Sequence, residues 1–201
     1  MLFKWIRCEV ADRNRFDRGQ RRWAELADVR GFKGQAGGWS RERPGHAHIF
    51  GFWESRAFYD SFMARTHDRL AAAQAGSCTE VRTTLFDHRF DVKTGFEPLF
   101  HDVDLVRIAH TRVRPERVEH FTLAQRRIWN PAMAGSPGMV RGFFAEAPGS
   151  EFLVLSMWQS TAERGKYRPE GLHRLSTRAE AEDDLLGLDG AMVELEPSWT
   201  V

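Results

Sequence analysis

The chain has few cysteines, almost no excess of charge and no long hydrophobic run. Its 201 residues include two cysteines, Cys8 and Cys78, and neither belongs to a paired spacing typical of a metal site. Two isolated thiols predict neither a disulfide framework nor a zinc site. We expect both cysteines to be small buried residues.

The charges nearly cancel, because 29 Lys and Arg face 28 Asp and Glu. No net field therefore attracts the chain to nucleic acid or to an anionic membrane, and we expect neither as a partner. The amino terminus reaches Arg7 and Glu9 too soon for the apolar stretch of a signal peptide, and no later run approaches membrane-spanning length. These features predict a cytoplasmic protein.

What the chain does contain is an internal repeat. A strand-like run, a helical stretch, a Gly-rich turn and a second strand-like run occur in the same order in both halves. The matching segments are 4–10 with 106–113, 20–23 with 125–129, and 52–55 with 155–160. Such a repeat indicates a duplicated βαββαβ unit. We predict an α+β fold of tandem ferredoxin-like units, with residues 1–88 as the first, 89–104 as a connector and 105–201 as the second.

Local patterns place the helices within each half. Asp12 suits the cap of the first helix, and the stripe that this helix buries recurs at helical spacing: Phe16, Gln20, Trp23 and Ala27. In the second half, Pro131 is expected to end the corresponding helix. A further helix is predicted over 176–186, ahead of a last strand at 191–195.

A ferredoxin-like unit has helices on only one face of its sheet. Tandem units can cover the other face by closing their antiparallel sheets together as a barrel. Alternate side chains of a strand share a face, so Ile6, Cys8 and Val10 are expected to meet the helices. Trp5 and Arg7 would then face the inside of the barrel.

These segments resemble the dimeric α/β-barrel superfamily, which includes antibiotic-biosynthesis and haem-degrading monooxygenases, chlorite dismutases and dye-decolorising peroxidases. The closer likeness is to an uncharacterised family often labelled YdbC-like, and it rests on residues 4–8, 31–39 and 52–54. The resemblance implies an intramolecular barrel of the dimeric α/β-barrel type. It also implies a ligand-facing His near the end of the second helix, where His67 stands, with His173 as its approximate repeat. The chain departs from the haem degraders in having no Asn on its first strand.

The first strands of the two halves carry the candidate catalytic residues. Repeat alignment puts His110 and Arg112 on the inward side, opposed to Arg7. A cation and an imidazole in an aromatic-walled space suit a carboxylate, phenolate or enolate, with Arg7 holding the anion and His110 moving a proton. The alternative is that Arg7 pairs with Glu9 or another acid and only ties strands together.

Further candidates lie on the helices and at the strand ends. His67 is the third catalytic candidate, although its place at the border of an apolar helix face also fits a surface histidine. The candidate substrate-binding residues are Trp5, Arg112, Trp53 and Trp158. Trp53 and Trp158 end equivalent strands, and equivalent aromatics are also what a common packing layer requires.

Three functions follow from this interpretation. The first is a cofactor-independent, monooxygenase-like enzyme that acts on an acidic or aromatic metabolite. The second is a haem protein with His67 or His173 as the axial ligand. The third is a non-catalytic ligand-binding or stress-response barrel. No metal site is predicted, the partner is a small molecule, and the chain is a monomer with pseudo-twofold symmetry or a homodimer.

Overall fold

The computed structural model describes residues 1–93, 95–167 and 172–201. The chain divides into two compact units. Unit 1 contains Met1–Asp87, Pro98–Phe100 and Val193–Val201, and unit 2 contains His88–Glu97 and His101–Met192. The division at 1–88, 89–104 and 105–201 stays a prediction.

Unit 1 has the βαββαβ order. Its strands are β1 (Leu2–Val10), β2 (Phe32–Ser40), β3 (His46–Trp53) and β4 (Cys78–Asp91). Its helices are α1 (Arg13–Arg21), α2 (Arg56–Arg65) and α3 (His67–Ala71), with 3₁₀ turns at Arg22–Asp28, Ala72–Gln74 and Pro197–Trp199. Antiparallel pairing gives the spatial order β4-β1-β3-β2, which is that of a ferredoxin-like unit.

Unit 2 repeats this order with more irregular helices. Its strands are β5 (Leu105–Val113), β6 (Met139–Ala147), β7 (Glu151–Trp158) and β8 (Leu185–Leu195). Its helical segments are a 3₁₀ turn at Pro115–Arg117, α4 (Val118–Ala124), a π turn at Gln125–Trp129, α5 (Asn130–Ala134), α6 (Thr161–Lys166), α7 (Leu172–Arg178) and α8 (Ala181–Asp184). Antiparallel ladders join β5 to β7 and β7 to β6.

The hydrogen-bonded order of the strands in the described chain is closed, β1-β3-β2-β8-β5-β7-β6-β4. Strands β4 and β8 each have residues in both units. The predicted fold class, an α+β fold of tandem ferredoxin-like units with an antiparallel barrel, is confirmed.

The side chains of β1 divide between two faces as predicted. Cys8, Ile6 and Val10 pack with Phe16 of α1, on the face that the helices cover. Their neighbours in sequence point to the other face because the side-chain period of a strand is two. This alternation decides which residues of β1 lie beneath the helices.

The predicted stripe of the first helix is right except at its end. Asp12 caps α1 by accepting a hydrogen bond from the backbone N–H of Arg15 at 2.9 Å. Trp23 is buried, but Ala27 is exposed and Leu26 is buried in its place. After Arg21 the helix tightens to a 3₁₀ helix, whose three residues per turn bring position 26 rather than 27 beneath Trp23.

Two predicted helix boundaries in unit 2 are wrong. Pro131 does not end the helix, because the π turn leads directly into α5 and α5 contains Pro131. The single helix predicted over 176–186 is divided in the structure, where α7 ends at Arg178, α8 covers Ala181–Asp184 and β8 begins at Leu185. Between α7 and α8, Glu180 has a left-handed backbone with φ 47°, which interrupts the helix.

The side chain of Gln74 forms hydrogen bonds with three residues of the first helical segment of unit 1. Its Oε1 accepts a hydrogen bond from the indole Nε1 of Trp23 at 2.9 Å. Its Nε2 donates to Oε1 of Gln20 at 2.9 Å and to the backbone oxygen of Phe16 at 3.3 Å. Trp23 and Gln20 are buried, so their polar atoms depend on partners inside the protein.

We expect Gln74→Ala to lower the free energy of unfolding by about 2 kcal/mol, because it leaves the buried indole N–H and the Gln20 amide without this partner. Urea unfolding followed by tryptophan fluorescence measures the change. Gln159→Ala, at an exposed position, is the matched control and should stay within about 0.5 kcal/mol of the wild type. Equal effects of the two substitutions would contradict the role given to Gln74.

Candidate functional site

Unit 1 contains a cavity of about 310 Å³ between its sheet and its helices. Lys4, Ile6 and Cys8 of β1 form part of the sheet side, and Gln20 and Trp23 form part of the helix side. Other residues around it are Phe16, Leu26, Gln35, Ile49, Gly51, Trp53, Phe62, His67, Ala71, Gln74, Ala75, Gly76, Cys78, Val81 and Thr83. The volume is at the lower end of the range for small-molecule sites, about 300–1,000 Å³.

Lys4 brings a cation to this cavity. Its residue is 6% exposed, and its ammonium lies 5.2 Å from the ring centroid of Tyr59. Within the part of the chain that the structure describes, no carboxylate forms an ion pair with Lys4. Burial lowers the pKa of Lys4 from 10.5 to about 8, because the charged form is poorly solvated there. A buried and incompletely compensated cation favours an anionic partner.

His67 stands at the helix side of the same cavity. It begins α3, and its ring centroid lies 5.8 Å from that of Trp23 and 5.8 Å from that of Phe62. Its Nδ1–H donates a hydrogen bond to Oδ1 of Asp68 at 2.9 Å. This bond fixes the tautomer with Nε2 as the basic nitrogen.

The tryptophans predicted to bind substrate have different surroundings. Trp53 lines the cavity and stacks on Phe62, with 4.9 Å between the ring centroids. Trp158 is buried in unit 2 in a cluster with Leu105 and Met139, and its Nε1 donates to Oγ of Ser156 at 2.9 Å.

Trp5 and Arg7 lie on the other face of β1 and contact each other. The guanidinium carbon of Arg7 is 4.2 Å from the Trp5 ring centroid, and Nη2 of Arg7 donates to Oγ1 of Thr84 at 3.2 Å. The Trp5 indole N–H donates to Nδ1 of His48 at 3.1 Å. Burial, followed by the charge of Arg7, lowers the pKa of His48 to about 4, so His48 is neutral at pH 7.

The candidate residues of unit 2 do not line the cavity described above. Nε2–H of His110 donates to Oε2 of Glu151 at 3.2 Å, and Arg112 is exposed on the same strand. His173 is exposed on α7. The pairing of Arg7 with His110 around one ligand stays a prediction.

Two residues beside these candidates were missed by sequence reasoning. Lys4 shares the helix-covered face with Ile6 and Cys8, and the same alternation could have placed it there. His48 is the cross-strand partner of Arg7 in the β1–β3 ladder, and the hairpin register could have indicated it.

Two kinds of feature are missing from residues 1–93, 95–167 and 172–201. These ranges contain no cluster of three or more His, Cys, Asp or Glu that could hold a metal ion. Each of their helices falls short of the length and apolar character required to cross a bilayer.

We expect Lys4→Met to stabilise the protein near pH 7, because it removes a desolvated cation. A pKa lowered from 10.5 to about 8 corresponds to roughly 3 kcal/mol. Between these pKa values the unfolded chain keeps a proton that the folded protein has lost, so wild-type stability rises with pH there. The excess free energy of unfolding of Lys4→Met over the wild type should therefore decrease as the pH rises from about 8 to about 10.5.

Urea unfolding of both proteins across this pH range measures the difference. Lys33→Met is the matched control at an exposed position of β2. Its free energy of unfolding should differ from that of the wild type by an amount that stays constant between about pH 8 and pH 10.5. A difference for Lys4→Met that is constant with pH would show that Lys4 is not buried as a cation.

The first half of the chain matches a known sequence family. Residues 2–86 match the family described as "Domain of unknown function (DUF4937)". Over 74 residues, 35% of this chain, the sequence is 40% identical to the uncharacterised protein YdbC of Bacillus subtilis (strain 168). The matched part spans 62% of the length of that relative.

Solved structures match nearly the whole chain. A provisionally assigned monooxygenase from Lactobacillus acidophilus NCFM is 14% identical and has a TM-score of 0.73, with 100% of this chain and 97% of that chain covered. The haem-degrading enzyme LmHde of Listeria monocytogenes is 11% identical and has a TM-score of 0.50, with coverage of 94% and 97%. At such identities the likeness shows the fold alone. The chain thus has the tandem form of the dimeric α/β-barrel fold, and its first unit is similar to the uncharacterised family of YdbC.

Proposed function

We propose that the chain is a small-molecule-binding protein and a cofactor-independent, monooxygenase-like enzyme, with an acidic aromatic metabolite as its substrate. The observation that carries this proposal is the buried ammonium of Lys4 in an aromatic-walled cavity. The monooxygenase assignment of the structural relative from Lactobacillus acidophilus supports the reaction class by analogy of fold.

The cavity suits a flat anion better than a neutral aliphatic ligand. Trp23, Trp53 and Phe62 offer aromatic surface around it. A phenolate, enolate or carboxylate beside Lys4 compensates the buried charge and restores the ordinary pKa of the lysine. Binding of the anion therefore recovers free energy that the empty cavity costs the folded protein.

The reaction begins with the removal of a proton from an acidic carbon of the substrate. Nε2 of His67 accepts the proton, while Asp68 orients the ring and stabilises the imidazolium. Lys4 holds the enolate oxygen. The carbanion reacts directly with O₂ to form a C–O bond, and the resulting hydroperoxide loses water to leave a carbonyl group. Anthrone and O₂ give anthraquinone and water by this route, so atoms and electrons balance.

Haem is a second candidate for the same cavity, because His67 and Lys4 both line it. His67, whose Nδ1–H donates to Asp68, would hold the iron through Nε2, and Lys4 would offer a cation to a propionate. Bound haem would supply an iron centre that activates oxygen. The cavity volume of about 310 Å³ favours a smaller ligand. His173 lies exposed on α7, which gives it less support than His67.

We expect Lys4→Met to weaken binding of 3-hydroxy-2-naphthoate by roughly 10- to 100-fold, the range for loss of a charged hydrogen bond. In the wild type, affinity should fall above pH 8, where Lys4 loses its proton in the free protein. Calorimetric titration measures both effects. Lys33→Met should bind the anion with the affinity of the wild type. Neutral 2-naphthol should bind to Lys4→Met and to the wild type with nearly equal affinity. Unchanged affinity of Lys4→Met for the anion would overturn the assignment of Lys4.

Oxygen uptake with anthrone tests the reaction itself. We expect consumption above the buffer blank by protein free of haem, and a decrease of at least about 100-fold in kcat/KM for His67→Ala. His101→Ala, at an exposed position, is the control and should retain activity. Uptake that requires added haemin, with a Soret band lost in His67→Ala and kept in His173→Ala, would favour haem. Absence of uptake with and without haemin would leave only a binding role for the cavity.

A further inference from the structure

The two cysteines meet at the cavity although 70 positions of sequence separate them. Cys8 lies on β1, Cys78 begins β4, and both line the cavity. The two strands are antiparallel neighbours, and Cys78 packs against the apolar cluster that contains Cys8, Phe16 and Ile49. In the described structure both thiols are free.

An irregularity in the ladder creates this contact. Glu9 pairs with Glu80, and a regular register would then pair Val10 with Thr79. The register instead shifts between Glu9 and Val10, so that Val10 pairs with Cys78. Because Val10 and Cys8 share a face of β1, the shift brings Cys78 to the face of Cys8.

The two thiols have different surroundings, which suits different chemical roles. Cys78 is half-buried and its Sγ lies 3.7 Å from Oγ of Ser77. The hydrogen bond from Cys8, helped by Ser77, lowers the pKa of Cys78 to about 7. Cys8 is buried, and its hydrogen bond to Cys78 together with burial raises its pKa. The first proton of the pair therefore leaves from Cys78.

We propose that Cys8 and Cys78 form a redox-active dithiol site that reduces hydroperoxides and closes to an intramolecular disulfide. The Cys78 thiolate attacks the distal oxygen of the hydroperoxide, breaks the O–O bond and releases an alcohol or water as it becomes a sulfenic acid. The Cys8 thiol then attacks the Cys78 sulfur, forms the S–S bond and releases water. Two thiols and one hydroperoxide thus give one disulfide, one alcohol and one water, and a thiol reductant restores the site.

The solvent access of the site and the neighbouring positions of the two cysteines both support these reaction steps. Val81 pairs with Cys8 across the ladder and is 58% exposed, so solvent reaches this end of the cavity. Cys78 lies opposite Val10, which is two positions from Cys8 on the same face of β1, so the two cysteines are diagonal neighbours. A disulfide requires Cβ atoms about 3.5–4.5 Å apart, so the two strand ends must move together as the bond forms. The chemistry of the two thiols uses neither Lys4 nor His67, although all four residues line the same cavity.

Treatment of the full chain with hydrogen peroxide tests the proposal. We expect the wild type to lose both titratable thiols and two hydrogen atoms of mass, with residues 8 and 78 in one cross-linked peptide that dithiothreitol separates. The rate should rise with pH and level off above about 7. The wild-type peptide map requires no substitution, so it does not depend on the folding of a variant.

Two nearly isosteric variants assign the roles. Cys8→Ser should form a stable Cys78 sulfenic acid that dimedone traps, because the resolving thiol is missing. Cys78→Ser should keep Cys8 reduced at the same peroxide concentration, because the attacking thiolate is missing. The proposal is overturned if both wild-type thiols survive, if the disulfide links two chains, or if Cys8 is oxidised as fast in Cys78→Ser as in the wild type.

Discussion

The alternation of side chains along β1 is the constraint on which the site depends. Lys4, Ile6 and Cys8 point to the helices because they share one parity, and Trp5 and Arg7 point away because they share the other. One strand therefore supplies a cation and a thiol to the cavity, and a second cation and an indole to the opposite face. A register shift of one residue would exchange the two sets.

Polar and aromatic contacts fix several of the side chains that line the cavity. Gln74 fixes Trp23 and Gln20 with hydrogen bonds, and Phe62 stacks on Trp53. Such a space, with a buried ammonium in it, costs stability that a closely packed apolar core would not. Binding sites commonly carry this kind of cost, since a site complementary to a ligand is incomplete without it.

The two units have different side chains at equivalent positions of their first strands. Leu2 pairs with Trp53 in unit 1 as Leu105 pairs with Trp158 in unit 2, so the two first strands are equivalent position by position. By this register Arg107 stands at the place of Lys4, and Thr111 at the place of Cys8. The helix-covered side of unit 2 instead contains a cluster of phenylalanines: Phe121, Phe144 and Phe152.

The sequence by itself determined the duplication, the α+β class, the helix-covered set of β1 and the cap at Asp12, because strand alternation and capping are local patterns. It was wrong about the burial of Ala27, the helix end at Pro131 and the single helix over 176–186, where a 3₁₀ helix, a π turn and the left-handed backbone of Glu180 interrupt the regular helical period. Strand alternation could place Lys4 on the helix-covered face, but only the tertiary structure decided that a cavity lies there and that Cys78 reaches it, because helix packing and a ladder irregularity bring distant positions together. Such contacts depend on which elements pack, and no spacing along the chain encodes them.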